Sequence, residues 1–391
     1  MPDARWPAAY LRLLAARLAL RSYFFVPYIV LYAQHIGIAL GTLLAVEALF
    51  ALLIVVLDLP AGHLADVIGP RRALVLGALA EGAGAILLGT LPTVATFWLV
   101  QPLFAGAQAL TQGTDVALAS GVLRATNRSD DFERGERLFQ SAALGWGSAV
   151  LFASSAFALA GFQATFLATG VMQLLAALTF LTIRVEPVTV HEERPGLVRR
   201  LRELYGGIRA AKGLPLDLLA MVLSGTAFSV LLYLIPVYYV RSGIDPRFVG
   251  VAAGVVGLVA MLLTRVLPAH WNLRIAVLLA LAATLVLWVP AAALVLAAAA
   301  LQVTQARLLP RFRARVRDEL ERFGPATAMS IVTTTSSLGF AIVAPLLGIA
   351  VDRKAEYGLL VACLACFLVA GIVMSARLQR APQPAGEGNV A

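Results

Sequence analysis

Long apolar stretches follow one another along almost the whole chain, and they constrain the fold more than any other feature. Crossing a bilayer as a helix takes about 20 apolar residues. Windows that meet this requirement lie at 11–34, 41–62, 72–91, 94–120, 138–160, 163–183, 216–240, 247–267, 273–289, 291–308, 327–350 and 357–376. Only 14% of the residues are charged, against about 25% in an average soluble domain. The sequence therefore predicts an all-α membrane protein with twelve transmembrane helices.

The basic residues are concentrated in alternate loops between these windows. Arginine clusters lie at 71–72, 124–137, 194–212, 307–322 and 377–380, while the intervening loops are short and nearly uncharged. An excess of Lys and Arg is typical of cytoplasmic loops. The net charge of +9 therefore indicates membrane orientation and no nucleic-acid partner. We expect a multi-pass protein of a bacterial inner membrane, surrounded by the lipid bilayer, with both termini in the cytoplasm.

A polar stretch with two prolines at 184–195 divides the apolar windows into two groups of six. It is followed at 197–211 by a basic amphipathic segment that is typical of a helix lying on the membrane surface. The apolar stretch Leu59–His63 is echoed faintly at Leu267–His270, at the corresponding place in the second group. We predict an N-terminal six-helix bundle at 1–183, a cytoplasmic linker at 184–214, and a C-terminal six-helix bundle with a short tail at 215–391.

A short basic link joins the second and third windows. Two hydrophobic helices connected by so few residues must be antiparallel neighbours, and glycine allows the backbone to turn where a Cβ would clash. Acids and arginines lie close together in this link, so we expect them to form a conformational latch. The predicted latch residues are Asp58, Gly62, Asp66, Gly69, Arg71 and Arg72.

The same link carries a family resemblance. The loop motif between helices two and three of the major facilitator superfamily resembles the pattern Gly62-x-Leu64-Ala65-Asp66-x-x-Gly69-x-Arg71. The lead-in Asp58-x-Pro60-x-Gly62 resembles that of bacterial drug-efflux-like members, and the stretches 113–137 and 344–353 resemble the same group. The resemblance implies two pseudo-symmetric six-helix bundles in which helices one, four, seven and ten line a substrate cavity.

Some positions depart from the family pattern. Val67 and Pro70 each replace a usual basic residue of the loop motif. The arginine expected early in helix four falls at Pro102, and the Gly-Pro pair of many antiporters is missing from 143–150. The last two departures argue against proton antiport by the family's usual route.

Polar residues inside predicted spans identify the candidate cavity, because such residues are costly in a membrane and are often functional. At 100° per residue they form one stripe on helix one and another on helix four, and a pair shares one face of helix ten. These cavity residues are Arg17, Arg21, Tyr28, Tyr32, Gln101, Gln108, Gln112, Asp115, Gln302 and Gln305.

Two arginines of the first stripe have different expected roles. Counting from the middle of each span at 1.5 Å per residue, Arg17 and Asp115 lie at the same depth, about 10 Å toward the cytoplasm. We expect an ion pair between them, and the alternative is that Arg17 reaches the inner headgroups. Arg21 lies one turn deeper, so we expect it to face the cavity.

Three intramembrane carboxylates are candidate proton carriers: Glu47, Glu81 and Asp115. A carboxylate held in a low dielectric can exchange a proton near neutral pH. The alternative for each is a structural hydrogen bond to a neighbouring helix.

The whole sequence contains no phosphate-binding glycine loop and no metal-ligand or nucleophile arrangement. We therefore expect no enzyme, no cofactor and no metal site, and transport driven by an ion gradient. The first hypothesis is a monomeric, proton-coupled exporter of a small amphipathic molecule such as a drug or secreted metabolite. One alternative is an importer or carrier of an anionic metabolite clamped by Arg17 and Arg21. Another is a sensor that keeps the fold without transport.

Overall fold

The computed structural model describes residues 6–183, 214–266 and 337–349, together with the single residues 298, 302, 303, 366, 369, 370, 372 and 373. Every regular element in this part of the chain is a helix. The predicted all-α fold is therefore confirmed. The predicted linker helix, the ninth window, most of the tenth and twelfth, and Gln305 lie outside the described residues.

The first half of the chain folds into nine helices that make six passes through the bundle. They are α1 Ala8–Leu20, α2 Ile29–His35, α3 Leu40–Ile68, α4 Pro70–Thr90, α5 Val94–Leu99, α6 Gln101–Thr111, α7 Thr114–Ala125, α8 Phe132–Ala158 and α9 Phe162–Leu181. Short 3-10 turns lie at Val26–Tyr28 and Ser129–Asp131.

The described part of the second half contains three helices. They are α10 Leu214–Arg241, α11 Val249–Val266 and α12 Ser337–Ile349, with a 3-10 turn at Pro246–Phe248 before α11. Within the described ranges, six helical stretches are long and apolar enough to cross a membrane, and the breaks in the first and fourth passes leave their pieces shorter than a full span.

Two predicted spans are broken near their middle. The first span stops at Leu20 and resumes at Ile29, and the fourth has a break at Gln112–Gly113, where Gly113 has a left-handed φ of 80°. A break exposes backbone groups that hydrocarbon cannot satisfy, so protein groups must satisfy them. At the first break, Phe24 N donates to Thr169 Oγ1 at 3.0 Å, and Gln173 Nε2 donates to the Leu20 carbonyl at 3.0 Å. Helix α9 therefore stabilises the break in the first span.

The link between the second and third spans is shorter than its sequence indicates. Helix α3 continues through Pro60 to Ile68, and α4 starts at Pro70, so Gly69 alone makes the turn. Gly69 has φ 86°, a conformation that costs an L-residue about 1–2 kcal/mol. Proline suits the first helical position because its missing N–H has no partner there in any case. The departure of Pro70 from the family motif therefore fits the start of α4.

Small residues bring the helices of the first half together. Gly82 on α4 and Gly170 on α9 pack against each other, because a Cβ built on Gly170 would lie 3.2 Å from the Gly82 carbonyl oxygen. A Cβ on Gly84 would lie 2.7 Å from the ring of Phe104 on α6. Close approach of backbones at small residues is typical of helix packing in membranes. The half is therefore a tight bundle in which α4 is central.

The helices alternate in direction, which gives the bundle two distinct ends. The proximal end carries the Gly69 turn, the loop 126–131 and Ile183. The distal end carries the loops 36–39, 159–161 and 242–248. The arginine-rich loops of the described part lie at the proximal end, so the sequence prediction equates this end with the cytoplasm.

Candidate functional site

The ion pair expected between Arg17 and Asp115 is present in the structure. Arg17 Nε and Nη2 both lie 2.9 Å from Asp115 Oδ2. Glu136 on α8 holds the same guanidinium from another side, at 2.6 Å from Nη1 and 3.1 Å from Nη2. Arg17 is only 2% exposed, and its guanidinium carbon lies 3.6 Å from the centroid of the Phe139 ring. Arg17 therefore binds two carboxylates inside the bundle and does not reach toward headgroups.

The broken spans position this cluster. Arg17 lies in the last turn of α1, whereas Asp115 lies in the first turn of α7, which begins only because the fourth span breaks at Gly113. Helix carboxyl ends favour cations and helix amino ends favour anions. Each charge of the pair is therefore matched both to its partner and to the helix end that carries it.

Sequence analysis missed Glu136 as a member of this cluster. The sequence predicts a loop at 130–137, but α8 begins at Phe132, and this places Glu136 on its first turns. Gly135 allows the close contact of α1 with α8, because a Cβ there would lie 2.5 Å from the Tyr10 hydroxyl oxygen. The pair Gly135-Glu136 is the sequence feature that could have indicated a close helix contact beside a buried carboxylate.

Arg21 differs from Arg17 in both position and pairing. It follows the last residue of α1 and is exposed, and its guanidinium carbon lies 4.9 Å from the centroid of the Phe139 ring. In the part of the chain that the structure describes, Arg21 has no carboxylate partner. The two arginines that the sequence grouped as one clamp are therefore one neutralised and one uncompensated cation.

The predicted polar stripe on helix one does not continue beyond the break. Tyr28 and Tyr32 are fully buried, and both use their hydroxyls in hydrogen bonds. Tyr32 donates to the Leu88 carbonyl at 2.5 Å, inside the first half. In this structure the tyrosines therefore share no exposed face with Arg21, because the helix is interrupted between them. That they line the cavity stays a prediction.

The glutamines of the fourth span all lie before or at its break, and they differ in exposure. Gln101 is buried and donates to the Phe97 carbonyl at 2.9 Å, so it satisfies its own helix. Gln108 is partly exposed on α6, and Gln112 is exposed at the break itself. Of this stripe, Gln108 and Gln112 keep a solvent-accessible side chain. Gln302 is partly buried.

Tyr28 belongs to a contact between the two halves at the distal end. Its hydroxyl donates to the Arg247 carbonyl at 2.7 Å and accepts from Gly250 N at 3.0 Å. Ser155 Oγ lies 2.8 Å from the same hydroxyl and accepts from Val251 N at 2.9 Å. The first N–H groups of a helix have no partner within the helix. Side chains of the first half therefore cap α11 of the second half.

Helices α8 and α11 are in contact along their distal parts and diverge toward the proximal end. A Cβ on Gly250 would overlap Ser154 Oγ, one on Gly254 would lie 3.0 Å from the Phe152 ring, and one on Gly257 would lie 3.6 Å from Ser148 Oγ. Nearer the proximal end of α8, a Cβ at Gly145 would have nothing within 4 Å. Leu144 is 62% exposed and Trp146 is 37% exposed. The halves are therefore joined distally, and the middle of α8 is uncovered.

A cavity of about 500 Å³ lies beside this distal contact. It is lined by residues of both halves, among them His35, Phe162, Gln163, Asp245 and Arg247. No local sequence pattern groups these residues, because their proximity depends on how the two halves pack.

The candidate proton carriers occupy different surroundings. Glu47 on α3 is 7% exposed and interacts with the hydroxyl of Tyr233 on α10. Glu81 on α4 is also 7% exposed, and it makes no hydrogen bond or ion pair within the described residues. Asp115 is bound by Arg17. Glu47 is therefore the candidate whose side chain contacts the other half.

Of the predicted latch residues, Arg71 contacts the end of the first half. Its Nη1 donates to the Ile183 carbonyl at 3.2 Å, just after α9. Arg72 is exposed. That these residues form a conformational latch stays a prediction. Asp58 and Gly62 lie on α3, about three turns and about two turns before its end. Arg71 therefore joins the α3–α4 turn to the last helix of the first half.

Comparison with solved structures identifies the fold. The crystal structure of the nucleoside transporter NupG superposes with a TM-score of 0.74 at 12% identity, covering 96% of this chain and 100% of that one. The peptide transporter POT in complex with sulfate gives 0.75 at 15% identity, covering 97% and 96%. The POT family transporter PepTSo gives 0.70 at 13% identity, covering 96% and 98%. The chain has the fold of a multi-pass membrane transporter.

The sequence match identifies the family itself. The profile of the Major Facilitator Superfamily matches residues 13–308. The chain belongs to the Major Facilitator Superfamily, which consists of transporters and not of enzymes, as predicted. No curated protein sequence matches the chain. Its drug-efflux-like subgroup stays a prediction.

Proposed function

We propose that this protein is a monomeric secondary active transporter that exports a small amphipathic molecule through alternating access, driven by protons. It would lie in a bacterial inner membrane with the proximal end in the cytoplasm. The observation that carries the proposal is the divergence of α8 and α11. Their distal parts are in contact, while Leu144 and Trp146 are uncovered at the middle of α8. This is the arrangement of a binding cleft that is open on one side only.

Alternating access requires the distal contact to be breakable. That contact consists of hydrogen bonds between the hydroxyls of Tyr28 and Ser155 and backbone groups at 247–251, together with glycine-mediated packing. Each hydrogen bond contributes a net of about 0.5–1.5 kcal/mol, so a few such bonds can be exchanged for contacts at the opposite end. Two conformations separated by a few kcal/mol interconvert and respond to a ligand.

Proton coupling is best supported at Glu47. It belongs to the first half, its interaction partner Tyr233 belongs to the second, and it is buried while the distal end is closed. Separation of the halves would expose the carboxyl group to water and change the energetic cost of its negative charge. Protonation of Glu47 and closure of the distal end would then be linked.

An amphipathic substrate is supported by the uncovered side of α8. Trp146 and Leu144 offer apolar surface, and exposed polar groups at Arg21 and Gln112 lie on the broken spans. A second candidate function, carriage of an anionic metabolite, is favoured by one observation, the uncompensated charge of Arg21.

The test is transport in proteoliposomes with an imposed pH gradient. Purified protein is reconstituted, and the movement of a panel of amphipathic amines, acids and neutral aromatics is followed with the gradient in either direction. We expect gradient-dependent movement of at least one class, abolished by a protonophore. No movement of any compound, with the protein folded and uniformly inserted, would favour the sensor alternative over transport.

A further inference from the structure

At the break in the first span, an arginine that has no carboxylate partner within the described residues lies next in sequence to a serine that binds a partly exposed tryptophan. Trp146 Nε1 donates to Ser22 Oγ at 2.9 Å, and Ser22 is the residue after Arg21. Trp146 is 14 residues after the start of α8 and 12 before its end. At 1.5 Å per residue this places the break about midway across the membrane.

The hydrogen bond to Ser22 fixes the orientation of the Trp146 ring. Ser22 is fully buried, and its hydroxyl donates in turn to the Leu18 carbonyl at 3.1 Å. The ring is therefore held at the end of α1, with 37% of the residue exposed. A fixed aromatic face binds a flat ligand without the entropy cost of ordering a mobile side chain.

Arg21 supplies a charge that no carboxylate balances within the described residues. Arg17, one turn earlier, is already bound by two carboxylates, so that cluster has no positive charge to offer an anion. Arg21 is exposed and lacks a carboxylate partner throughout the described ranges. A charged side chain at mid-membrane depth faces a water-filled cavity or a ligand. A guanidinium also binds a carboxylate through two parallel hydrogen bonds.

From these contacts we infer that Arg21 and Trp146 form the substrate site, and that it takes a planar aromatic acid. The carboxylate binds the Arg21 guanidinium, and the ring stacks on the exposed face of Trp146. Trp146 is hydrogen-bonded to Ser22, whose Cα lies about 3.8 Å from that of Arg21. One small molecule can therefore reach both Arg21 and Trp146. This inference rests on the proposed transport function and names the substrate class.

The chain offers a matched set of variants. Arg21→Ala removes the charge, Arg21→Lys keeps it without the planar donor pair, and Trp146→Ala removes the ring. Arg12→Ala is the control, because Arg12 is an exposed arginine on the same helix, about two turns from the break. Thermal unfolding of each purified variant checks that it is folded, and Arg21→Lys keeps the test decisive if Arg21→Ala is unstable.

The experiment measures equilibrium binding of three probes to protein in lipid nanodiscs. They are 2-naphthoate, its neutral counterpart 2-naphthalenemethanol, and acetate. We expect 2-naphthoate to bind at least tenfold more tightly than either of the others. Arg21→Ala should reduce its affinity to that of the alcohol, Arg21→Lys should weaken it severalfold, and Trp146→Ala should weaken both aromatic probes. Arg12→Ala should bind like the parent protein.

Equal affinity for the acid and the alcohol, or an unchanged affinity for 2-naphthoate in Arg21→Ala, would overturn the site. The absence of binding by all three probes would overturn it as well. The proteoliposome assay separates this failure from that of the proposed function. If the protein transports other compounds in response to the gradient but does not bind 2-naphthoate, the aromatic-acid site is refuted and the proposed transport function is retained.

Discussion

The Arg17 guanidinium lies 2.9 Å from the Asp115 carboxylate and joins the carboxyl end of one half helix to the amino end of another. Glu136 brings a third helix to the same guanidinium. Burying charges costs several kcal/mol for each ion unless they are well paired. The cluster is therefore a strong constraint on how α1, α7 and α8 pack.

Removal of Arg17 should destabilise the protein more than removal of either acid. Arg17→Ala leaves two carboxylates without a cation, and breaking a buried pair in this way costs about 3–5 kcal/mol. Asp115→Asn leaves Arg17 bound to Glu136, so the loss is one charge-assisted contact of about 1.5–3 kcal/mol. Thermal unfolding in detergent measures the order. Arg12→Ala is the control, and a melting temperature for Arg17→Ala equal to that control would show that the cluster is not structural.

Loss of the Tyr28 hydroxyl should open the distal end. Tyr28→Phe leaves the Arg247 carbonyl and Gly250 N without their partner, which costs the closed state about 1–3 kcal/mol. A cysteine at Ser148 on α8, in a background without Cys363 and Cys366, reports opening through its reaction rate with an impermeant maleimide from the distal side. We expect the rate to rise about fivefold or more.

Tyr32→Phe provides the matched control for that experiment. It removes the same group, but its hydroxyl donates to Leu88 inside the first half. We expect the maleimide rate to stay near that of the parent protein. Equal acceleration in both variants would mean that Tyr28 does not hold the halves together.

Substitution of Gly69 should destabilise the turn between α3 and α4. Gly69→Ala places a Cβ at φ 86°, which costs about 1–2 kcal/mol. Gly257→Ala is the comparison, because its Cβ would meet Ser148 Oγ at an ordinary 3.6 Å and alanine favours a helix. The midpoint of thermal unfolding should fall for the first variant and hold for the second. A fall of equal size in both would argue against a strained turn.

Glu47→Gln should uncouple transport from the proton gradient. The variant keeps the shape of the side chain but cannot release a proton when the halves separate. In proteoliposomes we expect gradient-driven movement to be lost, while exchange of labelled for unlabelled substrate continues. Glu81→Gln changes an equally buried carboxyl that contacts no described group of the second half, so it should keep coupling. The reverse pattern would transfer the role to Glu81.

The sequence was sufficient for the all-α class, the spans in the described part and the Arg17–Asp115 pair. Hydropathy and depth decide these features, and both can be calculated from residue order. The pair was found even though the helical-phase calculation behind the stripes assumed an unbroken helix, because depth along a span changes little when the helix breaks.

The composition of the site depended on features that the sequence does not encode locally. The break after Leu20 is held by Thr169 and Gln173 from a helix far along the chain. Its effect was to bury Tyr28 and Tyr32 and to leave Arg21 exposed. The pairing of Arg71 with Ile183 likewise depends on where the sixth span ends. Such contacts between distant segments decide which polar residues face a cavity.

The role of the latch residues remains our proposal in a modified form. Arg71 joins the α3–α4 turn to α9, so it would hold the proximal end of the first half together. Arg72 is exposed near the start of α4, and we propose that it meets the second half when the proximal end closes.

The most direct test of the account is a reversible cross-link between α8 and α11. Ser148→Cys with Gly257→Cys, in a background without the two native cysteines, places two thiols at a distance that a disulfide spans. Alternating access predicts that oxidation abolishes transport in proteoliposomes and that reduction restores it, while either single variant transports under both conditions. Undiminished transport with the cross-link fully formed would contradict the account, because the substrate would then cross without separation of the halves.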